Sequence, residues 1–291
     1  MALMRIRWLN KRIITLAAAL ILVMLLTVVL ASRRPIGNYS DPAGPIFEGS
    51  YADEQGHFTG SLRVVTWNLH YGEKLEQVIS VLENAEELQG ADVLLLQEVD
   101  IEGVETIARR LHYNYVFYPA AMHRQRRKEY GNAILSIWSL SEPAKIVLPN
   151  ALPGWLESRN AVRAILTIDG RQILAYSVHL DTTWIIFSRG ISQGEFMAEE
   201  AGREHNFVIL GGDFNTWNRG SISILEERLG KAGLERLTKG TGYTFEYSGL
   251  KLTLDHIFSG DVVDYQAGVY RQTDASDHYP LWAEMSIKIA E

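Results

Sequence analysis

Apolar residues recur in short runs along most of the chain, and their spacing predicts alternating strands and helices. Residues 63–67 and 93–96 are mostly apolar runs of strand length, whereas apolar side chains within residues 75–82 recur at helical spacing. By the same criteria, further strands are predicted over residues 131–137, 162–168, 172–178, 207–211, 243–246, 254–258, 263–270 and 281–287, and further helices over residues 103–111, 188–201 and 221–229.

The dipeptide Asp169-Gly170 lies between two of these strands and is a strong β-hairpin signal. Strands that alternate with helices predict one mixed α/β domain over residues 61–291. A domain of this length can bury a core without covalent crosslinks. The sequence contains no cysteine, which excludes disulfides, thiolate catalysis and cysteine-ligated zinc.

The N-terminal region has a different pattern. Residues 13–31 carry no charge, and at about 1.5 Å per residue they nearly span a bilayer core of about 30 Å. Residues 1–12 contain four basic residues, which favours a cytoplasmic N-terminus. We therefore expect a single-pass transmembrane anchor at residues 13–31, with the domain outside the cytoplasm. A cleaved signal peptide ending near Ala31 is the alternative, and it would also export the domain.

Residues 32–60 are predicted to form a linker or an irregular surface strap, because the part from Pro35 onward contains five glycines and three prolines. The charge balance also changes here. All 35 acidic residues follow Arg34, so residues 35–291, with 22 basic residues, carry a net charge of −13. This balance argues mildly against a surface that wraps nucleic acid, although a bound metal ion can supply local positive charge to a nuclease.

Polar side chains stand where the predicted strands begin or end. Asp213 and Asn215, in the stretch GGDFNTW, lie two residues apart, so both side chains leave an extended segment on one face. Strand ends are where α/β folds usually place their chemistry, but Asp and Asn are also common in plain Asx turns. Comparable strand-end positions are occupied by Asn68, Glu98, His179, Asp255, Asp277 and His278.

So many polar and ionisable groups around one core would be costly unless they were partners in a site, because a buried charge needs a compensating group. Carboxylate and amide ligands in a chain without cysteine suit a hard cation. We therefore expect Mg²⁺ or Mn²⁺ as the cofactor.

In chain order, the stretches WNLHYG, LLLQEVD, YGNAILS, SVHLD, GGDFNTW, LDHIF and SDHYPL resemble the motifs of the endonuclease/exonuclease/phosphatase superfamily. Its members include DNase I-like nucleases, neutral sphingomyelinases, inositol-phosphate phosphatases and proteins of GPI-lipid remodelling. Each motif alone is weak, but the ordered set is specific, and it covers about residues 61–288. The resemblance implies a DNase I-like four-layer α/β/β/α sandwich, here preceded by the N-terminal transmembrane helix.

The resemblance also implies which residues bind the metal ion and the phosphate. Glu98 would hold the metal ion, with Asn68 and Asp277 beside it. Asn68 and Arg163 would contact the phosphate of the substrate.

For the chemistry itself, the resemblance implies that Asp213 orients or deprotonates the attacking water. His278 would act as the general base or stabilise the charged transition state, and Asp255 would fix the orientation of a histidine. His179 would donate to the phosphate or the leaving oxygen, and Asn215 would hold the phosphate or the neighbouring histidine. These roles are those of a phosphoryl-transfer enzyme.

Two departures from one branch of the family narrow the function. His70 stands where abasic-site repair endonucleases have an acidic residue, and His179 stands where they have an asparagine. A DNA-repair role is therefore not favoured. His70 itself is interpreted as a loop residue, with a role in the site as the alternative.

Two further segments bear on the substrate. Residues 124–128 contain three arginines and a lysine, which indicate either a solvated loop or a clamp for a polyanion. Residues 184–187 are four consecutive apolar residues in a predicted loop, which either pack under the following helix or contact lipid.

Together these features predict a membrane-anchored, Mg²⁺-dependent phosphodiesterase whose domain lies outside the cytoplasm and which needs no obligate protein partner. A lipid-linked or small phosphodiester is favoured as the substrate. The alternatives are a DNase I-like nuclease that acts on nucleic acid outside the cytoplasm, and a binding module that has lost catalysis.

Overall fold

In the part of the chain that the structure describes, the domain consists of two large β-sheets, a two-stranded hairpin and four α-helices. The computed structural model describes residues 15–24, 27, 37–53, 58–149, 158–182, 187–203 and 207–287, and only the backbone of residues 187–189. The strands are β1 (Gly37–Asn38), β2 (Phe47–Gly49), β3 (Ser61–Asn68), β4 (Val93–Val99), β5 (Asn114–Met122), β6 (Glu129–Ser136), β7 (Ser139–Val147), β8 (Asn160–Ile168), β9 (Arg171–His179), β10 (Phe207–Asp213), β11 (Glu235–Arg236), β12 (Phe245–Tyr247), β13 (Leu250–Leu252), β14 (Asp255–Ser259), β15 (Val262–Val269) and β16 (Leu281–Ile287). The helices are α1 (Leu75–Asn84), α2 (Ile101–Leu111), α3 (Phe187–Gly202) and α4 (Arg219–Lys231), with a 3₁₀ turn at His70–Gly72.

The first sheet has the strand order β1-β5-β6-β4-β3-β16-β15, and β2 also pairs with β5. The second has the order β11-β14-β10-β9-β8-β7, and β12 and β13 form a separate hairpin. Among the described strands, two pairs are parallel, β3 with β4 and β9 with β10, and the other pairs are antiparallel. The parallel pairs lie in the middle of the two sheets, so their carboxyl ends bring four strand ends to one region of the domain.

Three hydrophobic clusters show how the layers pack. One joins side chains of both sheets, such as Leu95 and Ile209, and therefore lies between the sheets. A second joins the other face of the first sheet to α1 and α2, and a third joins the other face of the second sheet to α3 and α4. The helices therefore cover the outer faces of two packed sheets. This mixed α/β architecture agrees with the predicted sandwich.

Two glycines at the end of β10 allow close approach of the surrounding backbone. A side chain at Gly212 would place its Cβ 1.9 Å from the carbonyl oxygen of Val178, and Gly212 has a φ of +149°. A Cβ at Gly211 would lie 2.7 Å from Leu95 of the facing sheet. The strand therefore continues through both glycines to Asp213, two residues beyond its predicted end at residue 211.

Most elements predicted from the pattern are present, but β5, β7 and the short strands β11 and β13 were not predicted. β5 contains Pro119, and β7 is a mostly exposed or half-buried edge strand with Pro143, so neither has the apolar–polar alternation that identifies a strand. The segment predicted as a linker is also partly ordered on the sheet. β1 and β2 extend the first sheet by pairing with β5.

The predicted anchor coincides only in part with the described residues. Residues 15–24 are helical, while residues 13–14, 25–26 and 28–31 lie outside the described part of the chain. Among the helices described, none has the length and hydropathy required to cross a membrane. The anchor at residues 13–31 therefore stays a prediction.

Candidate active site

The carboxyl ends of the parallel strands bring most of the predicted site residues together. In the second sheet, Asp213 at the end of β10 pairs with His179 of β9 on one side and with Asp255 of β14 on the other. In the first sheet, Asn68 ends β3 beside Gln97, and Glu98 follows in β4. The two edges face each other, since the Nδ2 atom of Asn68 donates a 3.1 Å hydrogen bond to Asp213 across the gap between the sheets.

Asp213 is the centre of the cluster and is almost fully buried. Its Oδ2 atom accepts from Asn68 and lies 3.4 Å from Nε2 of His179 and 3.8 Å from Nε2 of His278. Its Oδ1 atom accepts from the backbone N–H of Asn215 at 2.9 Å. This last contact is an Asx turn, so the turn that the sequence suggested as an alternative exists and forms part of the site.

Asp255 orients His278. The Nδ1 atom of His278 lies 2.9 Å from Oδ2 of Asp255, and the hydroxyl of Thr244 donates to that oxygen at 2.6 Å. All three side chains are buried. The contact fixes the imidazole so that Nε2 is directed toward Asp213.

The environment raises the pKa values of both Asp213 and His278. Burial raises the pKa of Asp213 to about 7, against the lowering effect of the neighbouring His278. Burial alone would lower the pKa of His278, but Asp255 and Asp213 outweigh it and raise that pKa to about 10. At neutral pH the imidazole is therefore held as a cation, and the carboxylate is poised to exchange a proton.

Arg159 joins Glu98 to His179. One guanidinium nitrogen lies 3.2 Å from Oε1 of Glu98 and 3.2 Å from Nδ1 of His179. Burial, reinforced by Arg159, holds the pKa of His179 well below its usual range, so the ring is neutral. Because a guanidinium only donates, Nδ1 of His179 accepts and Nε2 carries the proton that faces Asp213.

The edge of the site is formed by the loop that contains Asp277. The Nδ1 atom of His70 lies 2.8 Å from Oδ1 of Asp277, and the hydroxyl of Ser276 donates to the backbone carbonyl of Asn68 at 2.8 Å. The hydrogen bond to Asp277 raises the pKa of His70. His70 is only partly exposed and contacts a candidate metal ligand. This contact favours a role in the site, which the sequence analysis gave as the alternative to a plain loop residue.

The donor set of this region fits a hard divalent cation, because it offers carboxylate and amide oxygens and no thiolate. Glu98 is the strongest candidate ligand. Its side chain is only 12% exposed, and its φ of +50° holds the backbone in the left-handed region that non-glycine residues rarely adopt.

Asp213, Asp255 and His278 offer a second arrangement for an ion, since their ligand atoms lie within 4.8 Å of one another. However, His278 and Asp255 are already bonded to each other, and Asp255 also accepts from Thr244. These bonds suit a proton-handling pair better than an ion site. We therefore favour the assignment of the ion to Glu98, with Asn68 and Asp277.

Arg163 is not among the residues that the structure brings together. It lies on β8 opposite Tyr176, three residues from His179 along β9, and its guanidinium lies 3.8 Å from Glu142. Its neighbours two positions away, Ala161 and Ile165, belong to the cluster under α3 and α4. The side chain therefore leaves the outer face of the sheet.

Sequence reasoning missed Arg159, Thr244 and Ser276. Arg159 precedes β8 outside any regular pattern, so neither strand periodicity nor a motif singled it out. Its position just before a strand that borders the motif SVHLD was the only available signal.

The sequence model of the Endonuclease/Exonuclease/phosphatase family matches residues 65–278, a range that contains the whole cluster around Asp213. The chain belongs to this family, whose members are hydrolases that act on phosphodiester bonds. The superfamily resemblance found in the motifs is thereby confirmed.

Among curated relatives, a UPF0294 protein of Vibrio vulnificus (strain CMCP6) is 26% identical over 233 residues, which cover 78% of each chain. The solved structures that share the fold over 78% of this chain include a TDP2 and a sphingomyelinase C. TDP2 of D. rerio, humanised by 14 mutations, has a TM-score of 0.62 at 18% identity and is covered over 99% of its length. Sphingomyelinase C from Streptomyces griseocarneus has a TM-score of 0.60 at 16% identity and is also covered over 99% of its length.

Proposed function

We propose that this protein is a phosphodiesterase that requires Mg²⁺ or Mn²⁺, is anchored in a membrane by residues 13–31, and acts outside the cytoplasm. One observation carries the enzymatic part of this proposal. Asp213 is buried between an amide and two histidines, at 3.1 Å from Asn68, 3.4 Å from His179 and 3.8 Å from His278. A buried carboxylate with these partners is suited to the transfer of a proton.

Each of these side chains has a definable task in hydrolysis. Asp213, with a pKa raised to about 7, accepts a proton from the attacking water. His278, held as a cation by Asp255, donates to the phosphate oxygens as negative charge develops on them. His179 directs its Nε2–H into the same space and can protonate the leaving oxygen.

A bound Mg²⁺ or Mn²⁺ ion held by Glu98, Asn68 and Asp277 would neutralise phosphate oxygens and so lower the barrier to attack. Arg159 supports this arrangement, because its guanidinium holds the Glu98 carboxylate in place and also sets the tautomer of His179.

The basic cluster is less available to a polyanion than its sequence indicates. Arg126 pairs with Glu73, and Lys128 pairs with Asp100 and Glu102. These contacts already compensate two of the four positive charges. Together with the acidic balance of residues 35–291, this favours a lipid-linked or small phosphodiester over DNA.

The apolar segment 184–187 bears on the same choice. Residues 183–186 lie outside the described part of the chain, and Phe187 begins α3. Their contact with lipid stays a proposal. The fold shared with a sphingomyelinase C is compatible with a lipid substrate and carries no argument about substrate by itself.

A comparison of binding and turnover separates the lipid from the nucleic-acid hypothesis. We expect residues 32–291 to bind zwitterionic vesicles with weak salt dependence, and we expect Ser at positions 184, 185 and 187 to abolish this binding while hydrolysis of a small soluble diester persists. A nuclease would instead bind DNA with an affinity that falls steeply with salt and with the loss of Arg124, Arg126 and Arg127. Steep salt dependence with unimpaired DNA cleavage by the Ser variant would overturn the lipid hypothesis.

A binding module without catalysis is the remaining alternative. It is not favoured, because Asp213, Asp255 and His278 are all present and His278 contacts both carboxylates. Failure to hydrolyse plasmid DNA, RNA, sphingomyelin, phosphoinositides or a bis-aryl phosphodiester in the presence of Mg²⁺ or Mn²⁺ would support this alternative over the enzyme.

A further inference from the structure

The strap of residues 37–49 enters the domain at the edge where the carboxyl ends of β3, β4, β9 and β10 meet. This edge is called the catalytic edge below. Gly37 pairs with Met122 and Asn38 pairs with Ala121, at the end of β5. The next backbone N–H, that of Tyr39, donates to the carbonyl of Ala120 at 2.9 Å. Ala120 lines a small cavity together with Glu98, Arg159 and His179, so the first described residues of the strap reach the immediate surroundings of the site.

A second contact links the strap directly to the loop that carries Arg159. The side-chain oxygen of Asn38 accepts a 3.0 Å hydrogen bond from the backbone N–H of Ser158. Arg159 is the next residue, and its guanidinium contacts both Glu98 and His179. Asn38, where the chain enters the domain, is therefore linked through Ser158 and Arg159 to Glu98 and His179 of the site.

The strap is also held against the second sheet. The Nζ atom of Lys145 in β7 lies 3.3 Å from the carbonyl oxygen of Gly44 and 5.8 Å from the centre of the Tyr39 ring. These contacts, together with the pairing of β1 and β2 with β5, fix residues 37–49 to both sheets. The position at which the chain arrives from its N-terminus is therefore set by the fold.

The length of the preceding segment limits how far this entry point can lie from a membrane. Six residue steps separate Ala31, the end of the apolar run, from Gly37. A fully extended chain of that length spans at most about 22 Å. The opposite end of the domain is farther away, because the seven residue steps of β9 from His179 to Gln172 add about 23 Å.

Exposed apolar side chains concentrate at the same end. Of the large apolar residues exposed in the described part of the domain, Val147 ends β7 opposite Asn160, and Trp217 follows β10 and Asn215. Tyr247 and Leu250 flank the tip of the β12–β13 hairpin, whose Phe245 contacts the ring of His278. The other two, Val263 and Tyr265, lie on the edge strand β15.

We infer that the catalytic edge faces the bilayer that the N-terminal segment is proposed to span, with the β12–β13 hairpin and Trp217 at the lipid surface. This inference rests on the anchor in the proposed function and specifies the substrate as a phosphodiester presented in lipid headgroups. The acidic domain disfavours an anionic surface, so the apolar side chains contact a zwitterionic one.

Single-cysteine labelling tests this orientation, because the chain has no cysteine of its own that would take up the label. The measurement requires no catalytic turnover. Ser248→Cys places a fluorophore at the tip of the hairpin, and Gln172→Cys places the same fluorophore at the opposite end of β9; both positions are exposed. The full-length protein is reconstituted into phosphatidylcholine vesicles that contain nitroxide-labelled phosphatidylcholine, and circular dichroism confirms that both variants are folded. We expect the label at position 248 to be quenched several-fold more than the label at position 172.

Flotation of the vesicles separates the two levels of the proposal. Protein that floats but shows equal quenching at both positions, or stronger quenching at position 172, overturns the orientation and leaves the anchor intact. Protein that does not float overturns the anchor and the orientation together. Hydrolysis of a soluble diester, measured on the same samples, reports on the catalytic part of the proposed function independently.

Discussion

The Nδ1 atom of His278 lies 2.9 Å from Asp255, and this contact directs the opposite ring nitrogen toward Asp213 at 3.8 Å. The order carboxylate, imidazole, carboxylate places a fixed cation between two buried acids. Because Asp255 comes from β14 of the second sheet and His278 from the loop before β16 of the first sheet, the arrangement exists only when the two sheets are packed together.

Asp213→Asn and His278→Ala are each expected to lower kcat by at least about a hundredfold, since each removes a proton-transferring group. Asp274→Asn is the matched control, because this carboxylate, on the loop before Asp277, is exposed and pairs with Lys74. Initial rates on a soluble diester and thermal unfolding would be measured together. Near-normal rates in folded Asp213→Asn protein would contradict the assignment.

His278 is expected to remain protonated at neutral pH, because Asp255 and Asp213 outweigh burial and raise its pKa to about 10. A pKa raised above the unfolded value of about 6.5 means that the contribution to stability is complete below that pH and is lost as the pH rises through about 10. NMR titration of the imidazole measures this directly, and Asp255→Asn should lower the value. A ring that titrates near 6.5 in the folded protein would show that the pair does not form.

Arg159→Met is expected to reduce kcat/KM at least about tenfold, because it leaves Glu98 and His179 without their shared partner. Arg163→Met is the control from the same strand region and should change kcat/KM less than about twofold, since Arg163 leaves the outer face of the sheet. Steady-state kinetics with both variants show which of the two arginines supports catalysis. A larger loss in Arg163→Met would reinstate that arginine as the phosphate contact.

A reporter fused after Glu291 is expected to be active only outside the cytoplasm, because four basic residues precede the apolar segment 13–31. N-terminal sequencing of membrane-extracted protein should give a start before Ile13. A start at Ser32 would show a cleaved signal peptide instead, and an active cytoplasmic fusion to a cytoplasm-specific reporter would reverse the topology.

Particular residues show how much of the site could be predicted from the sequence. Asn68, Glu98, His179, Asp213 and His278 were identified because polar residues that border apolar runs mark the beginnings and ends of strands, and the structure places all of them around one point. Their mutual distances could not be predicted, since the sequence does not specify which strands become neighbours.

Other features have no local signal. Arg159 reaches the site from an irregular segment, and Arg163, four residues later, carries the same side chain on the wrong face of β8. The strap at Gly37–Asn38 has glycine and proline nearby, a composition that predicts a linker, although β5 provides it with pairing partners 83 and 85 residues away in the chain. Such contacts depend on tertiary pairing, which periodicity does not encode.

Metal-dependent hydrolysis of a soluble bis-aryl phosphodiester by the purified full-length protein tests the central claim most directly. The account predicts turnover with Mg²⁺ or Mn²⁺, loss of turnover in EDTA, and recovery on re-addition of the ion. It also predicts that Glu98→Gln raises the ion concentration needed for half-maximal rate by at least about tenfold, while Glu102→Gln, an exposed residue paired with Lys128, leaves it unchanged. Full turnover by metal-free protein in EDTA, or an unchanged ion requirement in Glu98→Gln, would contradict it.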